Sequence, residues 1–531
     1  MVGYLDKHHV AMITTLASLR RAAIICGVLP TAWLFLFYFL PLGTILIRAF
    51  DASILIDVLG NSGVRSVLWF TLWQATLSTA LTLIVAFPIT WACSQWNFTG
   101  KRFIVALVTV PFVLPTVIVA GAIRAVLPES LNSGVVGILF AHVIFNVAIV
   151  LRIVGARWQQ EHPNTVAASR TLGATAWNTF SLITWPMIRS AVGNAVGIIF
   201  VFCFTSFGII RILGGPRYST IEVEIFIRAV QLGDTSVATA LVVLQLVVVG
   251  LVLGLTMPRS LTPLKIVTYR PSWISDYPRQ QKLVRSSVFA TVLFVGTPFL
   301  VMFINSFRVD NNWSLSPWRH LFDGTLSPMG VNISKALGNS VLFASITVLI
   351  TVPLALCLAS ISAYSTTHTA RRLIAIVASA PLATSAVALG LGMIITFDQS
   401  PIDWRSHWFL LVCAHCTIAL PLALRSLTAP LQSIPLSMRD SARILGASPL
   451  QTWWYVDIAI IRRPLLVAAG LSAAVSLGEF GATSFLTRTG NETIPTTIAR
   501  LLGRPGDVVQ SSGYALASLF VLLVIGAMIN A

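Results

Sequence analysis

Twelve times along this chain, about twenty residues pass with almost no charge among them. The runs lie near 28–49, 67–94, 103–127, 134–156, 191–213 and 236–256, then near 286–306, 336–362, 373–397, 407–426, 465–487 and 511–530. A hydrocarbon layer about 30 Å thick is crossed by a helix of about 20 apolar residues. Each run is therefore long enough to span a bilayer once. Only 10% of the 531 residues are charged and 56% are hydrophobic, whereas soluble domains carry roughly 25% charged residues. The chain needs lipid as its solvent. The expected fold class is all-α, a polytopic membrane protein of about twelve transmembrane helices in two six-helix halves.

A net charge of +17 would suit a nucleic-acid partner if the basic residues were clustered on a soluble surface. Their placement says otherwise. With the N-terminus inside, the segments on the inner side, counted with Arg152 and Arg425 at the inner ends of their runs, hold 22 of the 35 Lys and Arg but 5 of the 18 acids. This is the positive-inside bias that orients membrane proteins, and it leaves no case for nucleic acid. Residues 1–27, with Lys7, Arg20 and Arg21, form an inner N-terminal segment. The first apolar run lacks the small-residue cleavage pattern of a signal peptide, so it reads as an uncleaved anchor. The stretch 257–285, with six basic residues and four prolines, reads as a basic inner linker. It divides the chain into a first half, 28–256, and a second, 286–531.

The halves repeat one another at a fixed offset. Gly173 and Gly446, Arg189 and Arg462, Ala141-His142 and Ala414-His415, Arg152 and Arg425, Phe207-Gly208 and Phe480-Gly481, and Gly233-Asp234 and Gly506-Asp507 all lie 273 positions apart. Ungapped self-similarity of this extent indicates duplication. Six spans per half make the halves parallel, with a pathway expected between them. Phe207-Gly208 and Phe480-Gly481 are expected where the helices of the two halves approach, with the phenylalanines as a gate.

The most informative repeated stretch is a polar loop, 161–189 in the first half and 433–464 in the second. Its chemistry describes a short helix, a corner and a second short helix. In the second copy Ser437 and Asp440 read as a capping box, Gly446 as the left-handed residue ending the turn, and Ser448-Pro449 as the start of the next helix. The first copy has Asn164, Gly173 and Thr175 in those places.

This spacing resembles the cytoplasmic EAA loop of ABC-importer permeases, which runs Glu-Ala-Ala, a glycine six residues on, then a branched aliphatic residue followed by x-Leu-Pro. The first copy reads Ala167, Ala168, Ser169, then Gly173, then Ile183 to Pro186; the second reads Asp440, Ser441, Ala442, then Gly446, then Val456 to Ala459. Ala167 stands where the family has its acid, and Ala459 where it has proline. The stretches Phe204–Ile225 and Ala141–Asn146 are similar to fused permeases for ferric iron and thiamine. The resemblance implies a type I ABC-importer fold in the cell (inner) membrane. It also implies two ATP-binding cassette subunits, forming a homodimer on the cytoplasmic side, and a solute-binding protein outside. ATPase coupling would then fall to Ala167, Ala168, Arg170 and Gly173 in one loop, and to Asp440, Ser441, Ala442, Arg443 and Gly446 in the other.

The remaining candidates are few. Glu479 is an acid inside an apolar run, which is costly and by default functional; its counterpart is Ser206, and a helix-packing role is the alternative to a pathway role. His142 and His415 read as structural hydrogen-bonding groups. Cys413-Ala-His-Cys416 lies in an apolar run and is not repeated, so helix packing explains it better than metal. The phosphate-cradling G-x-x-x-x-G-K-[ST] loop is absent, since the one Gly-Lys pair, Gly100-Lys101, is followed by Arg102 and has Gln95 five residues before its glycine. No nucleophile–base pair or metal set recurs, so neither cofactor nor enzyme chemistry is expected. The alternative function is an ion-coupled secondary transporter of twelve helices, which would need ionisable groups near the bilayer midplane and has no use for paired bent loops.

Overall fold

A computed structural model describes residues 26–49, 52–256, 272–324, 332–365, 367–398, 404 and 407–530. The inner N-terminal segment up to residue 25 and the first part of the linker, 257–271, lie outside the described residues. Among those described, ten helices are long and apolar enough to cross a membrane, and two bent helix pairs bring the number to twelve if each pair is one span. Among the described residues strand is limited to two-residue pairs, Trp96–Asn97 with Ser272–Trp273 and Arg308–Val309 with Asn312–Trp313.

Two of the expected straight spans are broken. The run 103–127 folds as Lys101–Val113 and Thr116–Val126, bent by 108°, and the run 373–397 as Arg371–Ala383 and Ala386–Phe397, bent by 94°. Pro115 is the cause in the first pair: the residue before a proline is pushed out of the helical region, and Leu114 is extended at ψ 148°. In the second pair Thr384 is extended and Ser385 caps the new helix, its side chain accepting from the Ala388 N–H at 3.0 Å.

The chain forms two compact units, and they are not the two sequence halves. One comprises Met1–Phe50 with Lys335–Ile494, the other Asp51–Ser334 with Pro495–Ala531. The leading helix of each half thus belongs to the unit built on the other half.

In the first of these units, Tyr38 on the helix Cys26–Arg48 donates to the Ala380 carbonyl at 2.9 Å and shares a 2.6 Å hydrogen bond with Thr384 Oγ1. These bonds satisfy polar groups freed by the bend. Deeper in this unit the helix Trp408–Gln432 lies along Ala459–Gly478, joined by His415 Nδ1 to Ser476 Oγ at 2.8 Å.

In the other unit, the helix Ser62–Gln95 begins at an Asn61 cap, whose side chain accepts from the N–H groups of Gly63 and Val64. It lies along Val135–Trp158, with His142 Nδ1 and Ser78 Oγ 3.0 Å apart. Gln74 also donates to the Cys203 carbonyl at 3.0 Å. Two spans are therefore fastened to a third by side-chain bonds in an interior where lipid gives helices no hydrophobic reason to associate. The helix Pro278–Asn305 belongs to the same unit. It starts inside the stretch assigned to the linker, and Asn305 donates to the Ala125 carbonyl at 3.3 Å.

Candidate functional site

Both polar loops turn at a glycine in the left-handed region, Gly173 at φ +82° and Gly446 at φ +88°. The helices before them, Pro163–Thr171 and Leu436–Ile444, end in the same hydrogen-bonded corner. Gly173 N–H donates to the Arg170 carbonyl at 3.0 Å and Ala174 N–H to that of Ser169 at 3.0 Å; Gly446 and Ala447 do the same to Arg443 at 2.8 Å and Ala442 at 3.0 Å. This double closure satisfies carbonyls that the helix end leaves free, and it requires a positive φ at the residue after the cap.

The starts of these helices differ from the sequence reading. Ser437 lies within the second helix, whose cap is Pro435, and so makes no capping box with Asp440. A proline fixes its own φ in a helix-compatible range, which moves the start upstream. In the first copy the cap is His162, accepting from the Asn164 N–H, not Asn164 itself. The second arms start as expected: Thr175 caps one, and Ser448 caps the other through a full capping box with Gln451.

The second arm is not a separate short helix. From the corner it runs straight into the apolar span, as Ala176–Phe204 in one copy and Pro449–Gly478 in the other. Each passes through one wider turn, Phe180–Thr184 and Trp453–Ile458, with π-type hydrogen bonding. Such π-turns occur frequently at functional sites. The expected spans 191–213 and 465–487 therefore begin earlier and end at breaks after Phe204 and Gly478.

Beneath each corner sits a buried carboxylate. In the second loop Asp457 pairs with Arg439, Nε to Oδ1 at 2.8 Å, and accepts a hydrogen bond from the Tyr364 hydroxyl. The Arg439 guanidinium lies 5.1 Å from the centre of the Tyr364 ring. In the first loop the acid is Glu161, which accepts from Thr184 Oγ1 at 2.5 Å and from Trp158 Nε1 at 3.2 Å. Sequence reasoning missed all six residues. The repeat could have flagged Asp457, whose counterpart is Thr184.

The loop candidates lie around the corners. Ala167, Ala168 and Arg170 are exposed, as is Ser441; Asp440, Ala442 and Arg443 are half-buried, and Arg443 Nη1 lies 3.1 Å from Asp440 Oδ1. Around them is a bare apolar rim that recurs at the same offset. Leu172 and Leu445 are 88% and 87% exposed, Trp177 and Leu450 72% each, and Leu182 and Tyr455 75% and 72%.

The pathway candidates sit at the helix breaks, each within its own unit. Phe207 precedes the short helix Gly208–Leu213, and Phe480 precedes Gly481–Leu486. Glu479 is buried and caps that second short helix, its oxygens accepting from the Ala482 N–H at 2.9 Å and the Thr483 N–H at 2.8 Å, with His415 Nε2 3.6 Å away. His415 Nε2 is also 2.9 Å from Thr483 Oγ1.

A duplicated set of helices long and apolar enough to cross a membrane, carrying two glycine-cornered loops, defines a multi-pass membrane protein. Residues 355–531 match the family of binding-protein-dependent transport system inner membrane components. The chain is 24% identical over 470 residues to the thiamine transport system permease protein ThiP of Haemophilus influenzae, covering 84% of this chain and 85% of that one. It is 25% identical to ThiP of Brucella abortus, covering 87% and 86%. With the ferric transport system permease protein FbpB of Actinobacillus pleuropneumoniae it shares 23% identity over 98% of this chain and 81% of that one. Residues 355–531 thus carry the pattern of that family, and over most of its length the chain is similar to thiamine and ferric iron transport permeases.

Proposed function

We propose that this chain forms the translocation pathway of an ATP-driven importer, and that its two loops seat on separate ATPase subunits that close on binding ATP. The recurrent rim of Leu172, Trp177 and Leu182, matched by Leu445, Leu450 and Tyr455, carries the reading. Exposed apolar residues on a rigid corner are what a groove on another protein would take up in helix-in-groove recognition. Both termini and both loops then lie in the cytoplasm, where the basic residues concentrate. ATP hydrolysis belongs to the partner subunits, which act as a pair because the loops are a pair. A soluble protein outside delivers the cargo, thiamine or ferric iron, the two named by the relatives. The division into halves at 28–256 and 286–531 is a division of descent.

The alternative, ion-coupled secondary transport, has two buried acids away from the loops in its favour among the described residues: Glu222, already bonded to Gln245 Nε2 at 2.6 Å, and Glu479. Glu479, however, already caps a helix beside His415, and nothing comparable stands at Ser206.

Replacing Leu172 and Leu445 with aspartate tests the proposal. The double variant reaches the membrane in normal amount but loses its co-purifying ATPase, because each change puts a charge into an apolar groove. Undiminished co-purification would remove the loops from the interface. Cysteines placed at 165–185 and 440–455 should react with impermeant reagent only from the inner face; labelling from outside would reverse the topology. Uptake of radiolabelled thiamine and of ferric iron, each with the candidate binding protein, separates the two cargoes.

A further inference from the structure

The ground beneath the two corners is built alike but filled differently. In the second loop a guanidinium lies over an aromatic ring and against a buried carboxylate: Arg439 over Tyr364, beside Asp457. At the 273-residue offset Val166 stands for Arg439, Trp91 for Tyr364 and Thr184 for Asp457. A carboxylate is nevertheless present, supplied by Glu161 and bonded to that same Thr184. Valine cannot reach across, and a cavity of about 650 Å³ opens there, its walls including Phe87, Trp91, Trp96, Trp158, Glu161 and Val166. Trp91 and Trp96 meet edge to face at 6.4 Å, and Phe87 lies 5.1 Å from Trp158. The first loop thus keeps the aromatic wall and the acid of the second and lacks its built-in cation.

We propose that this cavity binds an organic cation of the guanidinium or amidinium type, held as Arg439 is held in the second loop. The chemistry is complementary. A carboxylate has about four lone-pair sites, and the two donors on Glu161, Thr184 and Trp158, leave capacity for a planar cation's N–H groups. Glu161 is 8% exposed and makes no ion pair among the described residues. A buried charge of this kind favours an opposite charge, and indole is the best aromatic face for a cation. The volume falls in the range of small-molecule sites, about 300–1,000 Å³. Arg170 also borders the cavity, but it is exposed. Its counterpart Arg443 coexists with Arg439 in the second loop, so a second cation is no obstacle. Occupancy would brace the first corner as Arg439 braces the other. The proposal goes beyond the transport reading and is tested without transport.

The probe is benzamidinium, with neutral benzamide as control, titrated calorimetrically into the full chain in lipid nanodiscs. The wild type should bind benzamidinium at least about tenfold more tightly than benzamide, a ratio equivalent to about 1.4 kcal/mol. Val166→Arg, which supplies the cation internally, should abolish binding and raise thermal stability. Glu161→Gln keeps the shape and should weaken binding about tenfold, so the test survives if Val166→Arg fails to fold. Repeating the titration on permease with its ATPase bound separates the sources: loss of binding there means that a partner's arginine fills the cavity, and retention means a free small cation. Equal affinity for benzamide, or unchanged affinity in Glu161→Gln, overturns the proposal.

Discussion

Gly446→Val should abolish uptake while leaving the permease in the membrane. Gly446 holds φ +88° and has open space where a side chain would begin, with no atom within 4 Å of an added Cβ. The defect is therefore one of backbone alone. Placing an L-residue in the left-handed region costs roughly 1–2 kcal/mol, and more for a β-branched one. That is enough to open the corner and misdirect the exposed Leu445. Co-purifying ATPase should fall about tenfold or more, and cargo-stimulated ATP hydrolysis should fall with it. Gly446→Asn, which tolerates this region, should restore most of both. Gly173→Val should act in the same direction but less severely, since Asp440 occupies the acidic position of its loop and Ala167 does not. Full assembly and uptake in both valine variants would show that the corners do not couple the permease to its ATPases.

The second large effect comes from Arg439→Val. Arg439 is 5% exposed and Asp457 fully buried; removing one member of such a pair leaves an uncompensated charge, which typically costs 3–5 kcal/mol. The second loop should become protease-sensitive and the permease should lose much of its thermal stability in detergent. The first loop manages with Val166 and Thr184 at these positions, so the double variant Arg439→Val, Asp457→Thr should recover most of the loss. A double-mutant cycle reads the coupling directly. Strictly additive effects would mean that the ion pair does not hold the loop.

Local chemistry was the legible part of the sequence. Gly173 and Gly446 declared themselves because a glycine between two helical stretches has one main use, and Ser448-Pro449 because a cap followed by proline leaves little choice. Failures began where the outcome depended on a competing neighbour. Pro435 outbid Ser437 for the helix start. The apolar run suggested that a span begins near 191, but the wider turn at Phe180–Thr184 carries the helix through from Ala176. The partner of the buried Asp457 was out of reach for another reason: the repeat singles out Asp457, but Tyr364 is 93 residues from it, and no local pattern joins them. Nor could hydropathy reveal which spans share a unit, since apolar runs are interchangeable by that measure.

The exchange of leading helices sets the order in which the molecule can mature. The helix Cys26–Arg48 leaves the ribosome before every other described helix, yet its compact unit resumes only at Lys335 and closes at Ile494. At about 5–20 residues per second, Tyr38 waits on the order of tens of seconds before Ala380 and Thr384 exist. During that time the first helix stands in lipid without its companions. A ribosome that stops early in the second half therefore leaves the first helix an orphan and the other unit without Pro495–Ala531, and quality control meets one defective molecule in which neither unit is finished.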